Sequence, residues 1–183
     1  LLGLGLTPAT SEAGRLRVVA ATTDLGAIAD AVGGDAVEVA VVGRWNRDPH
    51  SLEIRPSNMR KAAKGDIYLK VGMSLDIWSD GVISGSRNPG LAVVDCSRAI
   101  QPLEVPTTRV DASMGDVHPE GNPHFNVGPH CGVPMAENIA YTLMEFDPEN
   151  EEYYQQNLDA YVSELQALTE QLKEAGKELN GVN

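Results

Sequence analysis

Leu16–Val42 reads LRVVAATTDLGAIADAVGGDAVEVAVV, and its order of strand, helix and strand decides the architecture. The run from Leu16 to Thr23 is short and rich in β-branched residues, as a buried strand requires. Thr23 or Asp24 then caps a helix carrying Leu25, Ile28 and Val32 on one face, and Gly33 and Gly34 stop it. Ala36–Val42 is a second strand. Two strands joined through a helix lie parallel in one sheet, with a right-handed crossover.

The alternation continues toward the carboxyl terminus. Pro56 and Ser57 mark a helix start and Gly65 its stop, before the strand Ile67–Val71. Gly72 leads into SLDIWSDGVIS, a helix with Leu75, Trp78 and Val82 on one side, and Leu91–Asp95 supplies a fourth strand. The expected fold is therefore α/β, an open four-stranded parallel sheet flanked by helices. Ser97–Asn122 is a long excursion of Pro, Thr, Asp and Gly, of a length that is usually functional or mobile. A helix follows from near Pro134, with Met135, Ile139, Leu143 and Phe146 facing inward.

Between Pro148 and Asn180 the apolar residues Tyr154, Leu158, Tyr161, Leu165, Leu168, Leu172, Ala175 and Leu179 alternate steps of four and three. They form the stripe of one long amphipathic helix, with Gly181–Asn183 as its cap. A coiled-coil dimer and a helix laid along a globular core both produce such a stripe, and the core is the expected reading. Half of the seam has nothing in this sequence to pack against, so self-association through it stays open.

Three of the four histidines, His118, His124 and His130, stand six residues apart in Gly115–Gly132, GDVHPEGNPHFNVGPHCG. That spacing fits neither helix nor strand, and the neighbouring prolines hold each histidine out of helix. The fourth, His50, ends the Pro-fixed loop RWNRDPH after the second strand. Two distant loops of like chemistry suggest one site. Neutral imidazole suits a borderline ion such as zinc, and the loops leaving the carboxyl ends of parallel strands are where such folds bind ligands. Cys131 beside His130 is a further candidate donor. A competing reading is a zinc hydrolase using the His118, His124 and His130 cluster, although no HExxH, Gly-x-Ser-x-Gly or P-loop core is present.

The formal charge of −12 over 183 residues argues against a nucleic-acid partner, since no basic stripe exists to displace counterions from phosphates. Cys96 and Cys131 are too few for a disulfide framework, and sequence leaves their pairing open. Leu1–Gly14, leucine-rich and then small, reads as the end of a secretory signal, and no later run has the roughly 20 apolar residues of a membrane span. The protein is expected to act outside the cytoplasm, periplasmic or otherwise exported.

These stretches together resemble the zinc and manganese solute-binding proteins of ABC transporters, the ZnuA-like cluster A-I family. VVAATTDLGAIADAVGGDAVEVAVV is similar to that family's first strand, helix and second strand. DPHSLEIRPSNMRKAAKGDIYLKVGMSLDIW resembles its ligand histidine after Asp-Pro and a later Gly-x-x-Leu-[Glu/Asp]-x-Trp segment. NPHF resembles the Pro-His pair that brings a second ligand, and FDPENEEYYQQNLDAYVSELQAL the start of the helix linking two lobes. The resemblance spans Leu16 to Gly181. It implies a non-enzymatic receptor that delivers Zn²⁺, or alternatively Mn²⁺, to a membrane permease, with His50 and His124 as metal ligands. His118 and His130 match no ligand of the family, and Val127-Gly128-Pro129 stands where Leu-Asp-Pro is usual. The organisation implied is a leader remnant at 1–14, an amino-terminal metal-binding lobe at 15–146 and a linking helix at 147–183. The second lobe that would donate further ligands is not in this sequence.

Overall fold

The computed structural model describes residues 14–111, 114 and 117–177. Four strands, β1 (Leu16–Ala20), β2 (Val37–Val41), β3 (Ile67–Lys70) and β4 (Ala92–Asp95), form one sheet in the order β2-β1-β3-β4. All three pairings are parallel, with Val18 opposite Val39 on one side and Ile67 on the other. The expected sheet is therefore found. The chain leaves β1 for β2 at one edge and then returns across the sheet to β3, which makes a topological switch point beside β1.

Alternation along β1 divides the core in two. Val18 and Ala20 face α1 (Thr23–Gly33), α4 (Pro129–Phe146) and α5 (Glu151–Gly176), where Leu25, Ile28, Met135, Ile139, Leu143, Tyr154 and Leu158 are buried with them. Val19 and Ala21 face α2 (Pro56–Lys64) and α3 (Trp78–Ser86), with Ala62, Tyr68 and Val82. β3 splits the same way: Ile67 and Leu69 join the first cluster and Tyr68 the second.

Several expected boundaries move. β1 ends at Ala20, three residues before the expected Thr23, and Thr22 is the N-cap of α1. α3 begins at Trp78 rather than Ser74. The segment before it cannot be helical, since Gly72, Met73 and Ser74 all have positive φ (92°, 47° and 62°). α4 starts at Pro129, five residues earlier than the Pro134 signal, and carries Pro134 inside it. Two prolines offered the same start, and the first was used. Met135, Ile139 and Leu143 are buried as expected, but Phe146 at the helix end is 42% exposed.

α5 divides along its length. Tyr154 and Leu158 are buried, Tyr161 and Val162 pack at the core margin, and Leu168 and Leu172 are exposed. Its first turns are tied down by polar contacts. Tyr154 Oη donates to Asp147 Oδ2 (2.7 Å), and Asn157 Nδ2 donates to the Val32 carbonyl (2.9 Å) at the end of α1. The core reading of the seam therefore holds for the first half of α5, and the second half stays uncovered. The expected leader lies outside the described residues save for Gly14, as does the expected cap at Gly181–Asn183. No helix among the described residues is long and apolar enough to cross a membrane.

Candidate metal centre

The loops at the carboxyl ends of β2 and β4 meet above the switch point, and each carries histidine. His50 is placed by Asp48. The Asp48 Oδ1 oxygen accepts from both the His50 backbone amide and ring Nδ1, each at 2.9 Å, while Oδ2 accepts from Ser51 Oγ (3.3 Å). These bonds, the backbone amide first, hold the Asp48 carboxyl below its ordinary pKa. Pro49 fixes the backbone between acid and ring, and its carbonyl accepts from Trp78 Nε1 (2.8 Å).

The second loop repeats the device with an amide. Asn122 Oδ1 accepts from the His124 backbone amide (3.0 Å) and from ring Nδ1 (2.9 Å), with Pro123 between them. Asn122 Nδ2 donates to Glu104 Oε2 (2.8 Å), which settles which end of the amide faces the ring. Asn126 Nδ2 donates to Asp24 Oδ2 (2.8 Å), tying the short 3₁₀ turn His124–Val127 to the start of α1.

Tautomers follow from these partners. A carboxylate and a side-chain carbonyl can only accept, so Nδ1 is the protonated nitrogen of each neutral ring and Nε2 carries the lone pair. His50 Nε2 is buried and makes no hydrogen bond. An orphaned acceptor of this kind, oriented through the other ring nitrogen, is the arrangement that metal-ligating histidines use.

Three rings gather here. The His50 and His124 centroids lie 5.1 Å apart, as the sequence reading of these two residues requires. His118 joins them, 5.2 Å from His50 and 6.1 Å from His124. His118, Asn122 and His124 line a cleft of about 310 Å³ together with Glu104 and Val117. Among the described residues no group of three or more His, Cys, Asp or Glu side chains is placed so that it could hold a metal ion as it stands. The rings are assembled, and an ion would still have to draw them onto a common point.

The sequence marked His118 as a loop histidine of the candidate site, although the family resemblance gave it no ligand role, and a local turn signal beside it pointed toward His124. Between the two histidines lies Pro119-Glu120-Gly121-Asn122-Pro123, and Gly121 takes φ 112°, a conformation that favours glycine. Gly121 N donates to the His118 carbonyl (3.3 Å), closing the turn that folds one ring back toward the other. His130 is elsewhere: it sits in the first turn of α4, on a groove with Cys131 and Pro134, and among the described residues has no ring contact with the other three. The hydrolase reading, which needs His118, His124 and His130 together, therefore loses one of its three rings. Cys96 and Cys131 are both free thiols, and burial pushes each thiol's pKa up, so neither is poised as a thiolate ligand.

Comparison with known proteins identifies the family and the fold. Residues 18–182 match the family described as zinc-uptake complex component A, periplasmic. The manganese ABC transporter substrate-binding lipoprotein PsaA of Streptococcus pneumoniae is 26% identical over 173 residues, 92% of this chain and 54% of that protein. The iron-binding protein YfeA of Yersinia pestis is 28% identical over 165 residues, 90% of this chain and 50% of its own length. Among solved structures, a zinc-bound deletion mutant of ZnuA superposes with a TM-score of 0.76 at 26% identity, covering 87% of this chain and 58% of that one. The chain thus spans about half the length of the curated relatives it matches.

Proposed function

The chain belongs to the zinc-uptake component A family, and from that membership we propose that it is the metal-capturing lobe of an extracytoplasmic substrate-binding protein, serving an ABC importer and carrying out no catalysis. Its cargo is Zn²⁺ in the first place and Mn²⁺ in the second. His50 and His124 take the ion through Nε2, and the partner that receives it is the membrane permease.

The observation that carries this reading is the doubled device at Asp48-Pro49-His50 and Asn122-Pro123-His124. In each, one side-chain oxygen two residues ahead binds both the histidine amide and ring Nδ1. Rings fixed in this way lose little freedom on coordination, and a proton held on Nδ1 leaves Nε2 unprotonated for the ion. Two imidazoles occupy half of a tetrahedral zinc shell, so the ion remains exchangeable until further donors close on it. That is the behaviour a carrier needs, whereas hydrolytic zinc keeps an open position for activated water.

Calorimetric zinc titration of the chain beside His50→Ala, His124→Ala and His130→Ala tests the assignment. The first two variants are expected to lose measurable binding and the third to keep it. Retention of full binding by both of the first two would end this reading of the site.

A further inference from the structure

We propose that His118 is a third metal ligand, so that this lobe holds zinc in a three-imidazole set of its own; the proposal rests on the receptor reading and deepens it. Nothing in the family resemblance assigns His118 a role. The argument comes from where the fold puts its ring.

Around a tetrahedral ion with Zn–N bonds of about 2.0–2.1 Å, imidazole centroids stand roughly 5 Å apart. The His118 ring lies 5.2 Å from His50 and 6.1 Å from His124, and those two are 5.1 Å from each other. Two sides of this triangle match that spacing, and the third, between His118 and His124, is longer by about 1 Å. Both His118 Nε2 and His50 Nε2 are buried, so an ion between them would sit away from bulk water. The interplanar angles of 31°, 51° and 81° show that the three rings are not stacked flat on one another.

His118 also reaches this place by construction. The Gly121 turn returns the chain from His118 to His124, Asn122 N donates to the Leu103 carbonyl (2.8 Å), and Ser74 Oγ donates to Glu120 Oε2 (3.2 Å). The segment between the two histidines is therefore anchored both to the preceding excursion and to the loop after β3. A ring on such a segment is positioned before the ion arrives.

The chemical consequence is selectivity. Three imidazole donors favour zinc over manganese, because Mn²⁺ binds nitrogen sites weakly and prefers oxygen donors. His118 would be the residue that moves this lobe toward zinc.

The test uses the chain with Zn²⁺ and Mn²⁺ as probes, in competition with a chromophoric chelator, and zinc X-ray absorption to count bound imidazoles. His118→Ala is expected to weaken zinc binding by about 100-fold and to lower the imidazole count from three to two. His118→Asp should retain binding but narrow the zinc-to-manganese preference by about tenfold, a change that a merely structural role would not produce. Thermal melts establish folding, and His118→Gln replaces the alanine variant if that one fails to fold. Zinc affinity within about threefold of the parent with an unchanged imidazole count would overturn the role of His118, while loss of binding in His50→Ala and His124→Ala would leave the receptor reading intact. If all three alanine variants bind as the parent does, both proposals fall.

Discussion

The two ends of the sheet handle polar groups in opposite ways. At the amino end Arg17 and Asp66 pair with one another: the Arg17 amide, Nε and Nη2 donate to the Asp66 carboxylate at 2.9, 3.1 and 2.8 Å, tying β1 to the start of β3. At the carboxyl end, polar atoms are buried without partners, Thr22 Oγ1 and His50 Nε2 among them. There the backbone also passes through three successive positive φ values at Gly72, Met73 and Ser74, and Asp76 is buried. One end closes its polar groups on each other, while the other leaves some of them buried and unpaired. Strain and unmet hydrogen-bonding capacity concentrated at one end of a fold are the marks of a binding site, and the paired end supplies the rigidity that keeps them in place.

The contrast can be broken or sharpened by substitution. The largest effect is expected at Gly72, where an added Cβ would strike the Asp95 carboxylate and the Ser97 hydroxyl in a backbone with φ 92°. Gly72→Ala should cost about 2–4 kcal/mol in urea unfolding; a loss under about 0.5 kcal/mol would mean that the carboxyl end is not held as described. Next come the residues that orient the rings. Asp48→Ala and Asn122→Ala should each weaken zinc binding by about 10- to 100-fold, with Asp48 the costlier because a carboxylate makes its ring the stronger donor. Equal losses would remove that distinction between acid and amide.

The two ends should also respond to pH with opposite signs. Burial raises the Asp76 pKa despite donors at Val71 N, Gly72 N and Ser79 Oγ. Its contribution to stability is complete below the unfolded carboxyl value near 3.9 and is lost as pH rises through the folded value. Asp66 is shifted down, chiefly by its bond to the Arg17 side chain, so its contribution is present above the unfolded value and disappears as pH falls through the folded one. Denaturant midpoints measured across the acid range should therefore lose their alkaline-going decline in Asp76→Asn. Arg17→Ala, the mildest of these changes because the pair is solvent-exposed, should lose some of the acid-side fall. A pH profile that neither variant alters would contradict the assignment of opposite ends.

Much of this was legible in the sequence. The four strands were marked by short apolar runs; β2, β3 and β4 lie within one residue of their expected limits, and β1 ends three residues early. The start of α3 was not legible, because Leu75 and Trp78 sit at helical spacing while the backbone between Gly72 and Ser74 is left-handed, a property that periodicity does not record. Half of the α5 seam behaved as a core stripe, and Leu168 and Leu172 kept the pattern without the burial. At the site, the sequence singled out His50 and His124 through the resemblance of the DPH and NPHF segments to the family's ligand-bearing segments, and the fold brings those two rings together. His118 was hidden because its nearness to His50 depends on two loops converging in space, and only the turn at Gly121 hinted at its nearness to His124. Glu104, which orients Asn122, lies in a stretch with no periodicity and offered no signal.

The central claim is that loops from β2 and β4 bring imidazoles to one ion, and nitrogen NMR of the histidine rings tests it most directly. On addition of one equivalent of Zn²⁺, the Nε2 resonances of His50, His118 and His124 should move together, with Nδ1 remaining protonated, while those of His130 stay in place. Movement of His130, or no movement of His50 with His124, would contradict the account.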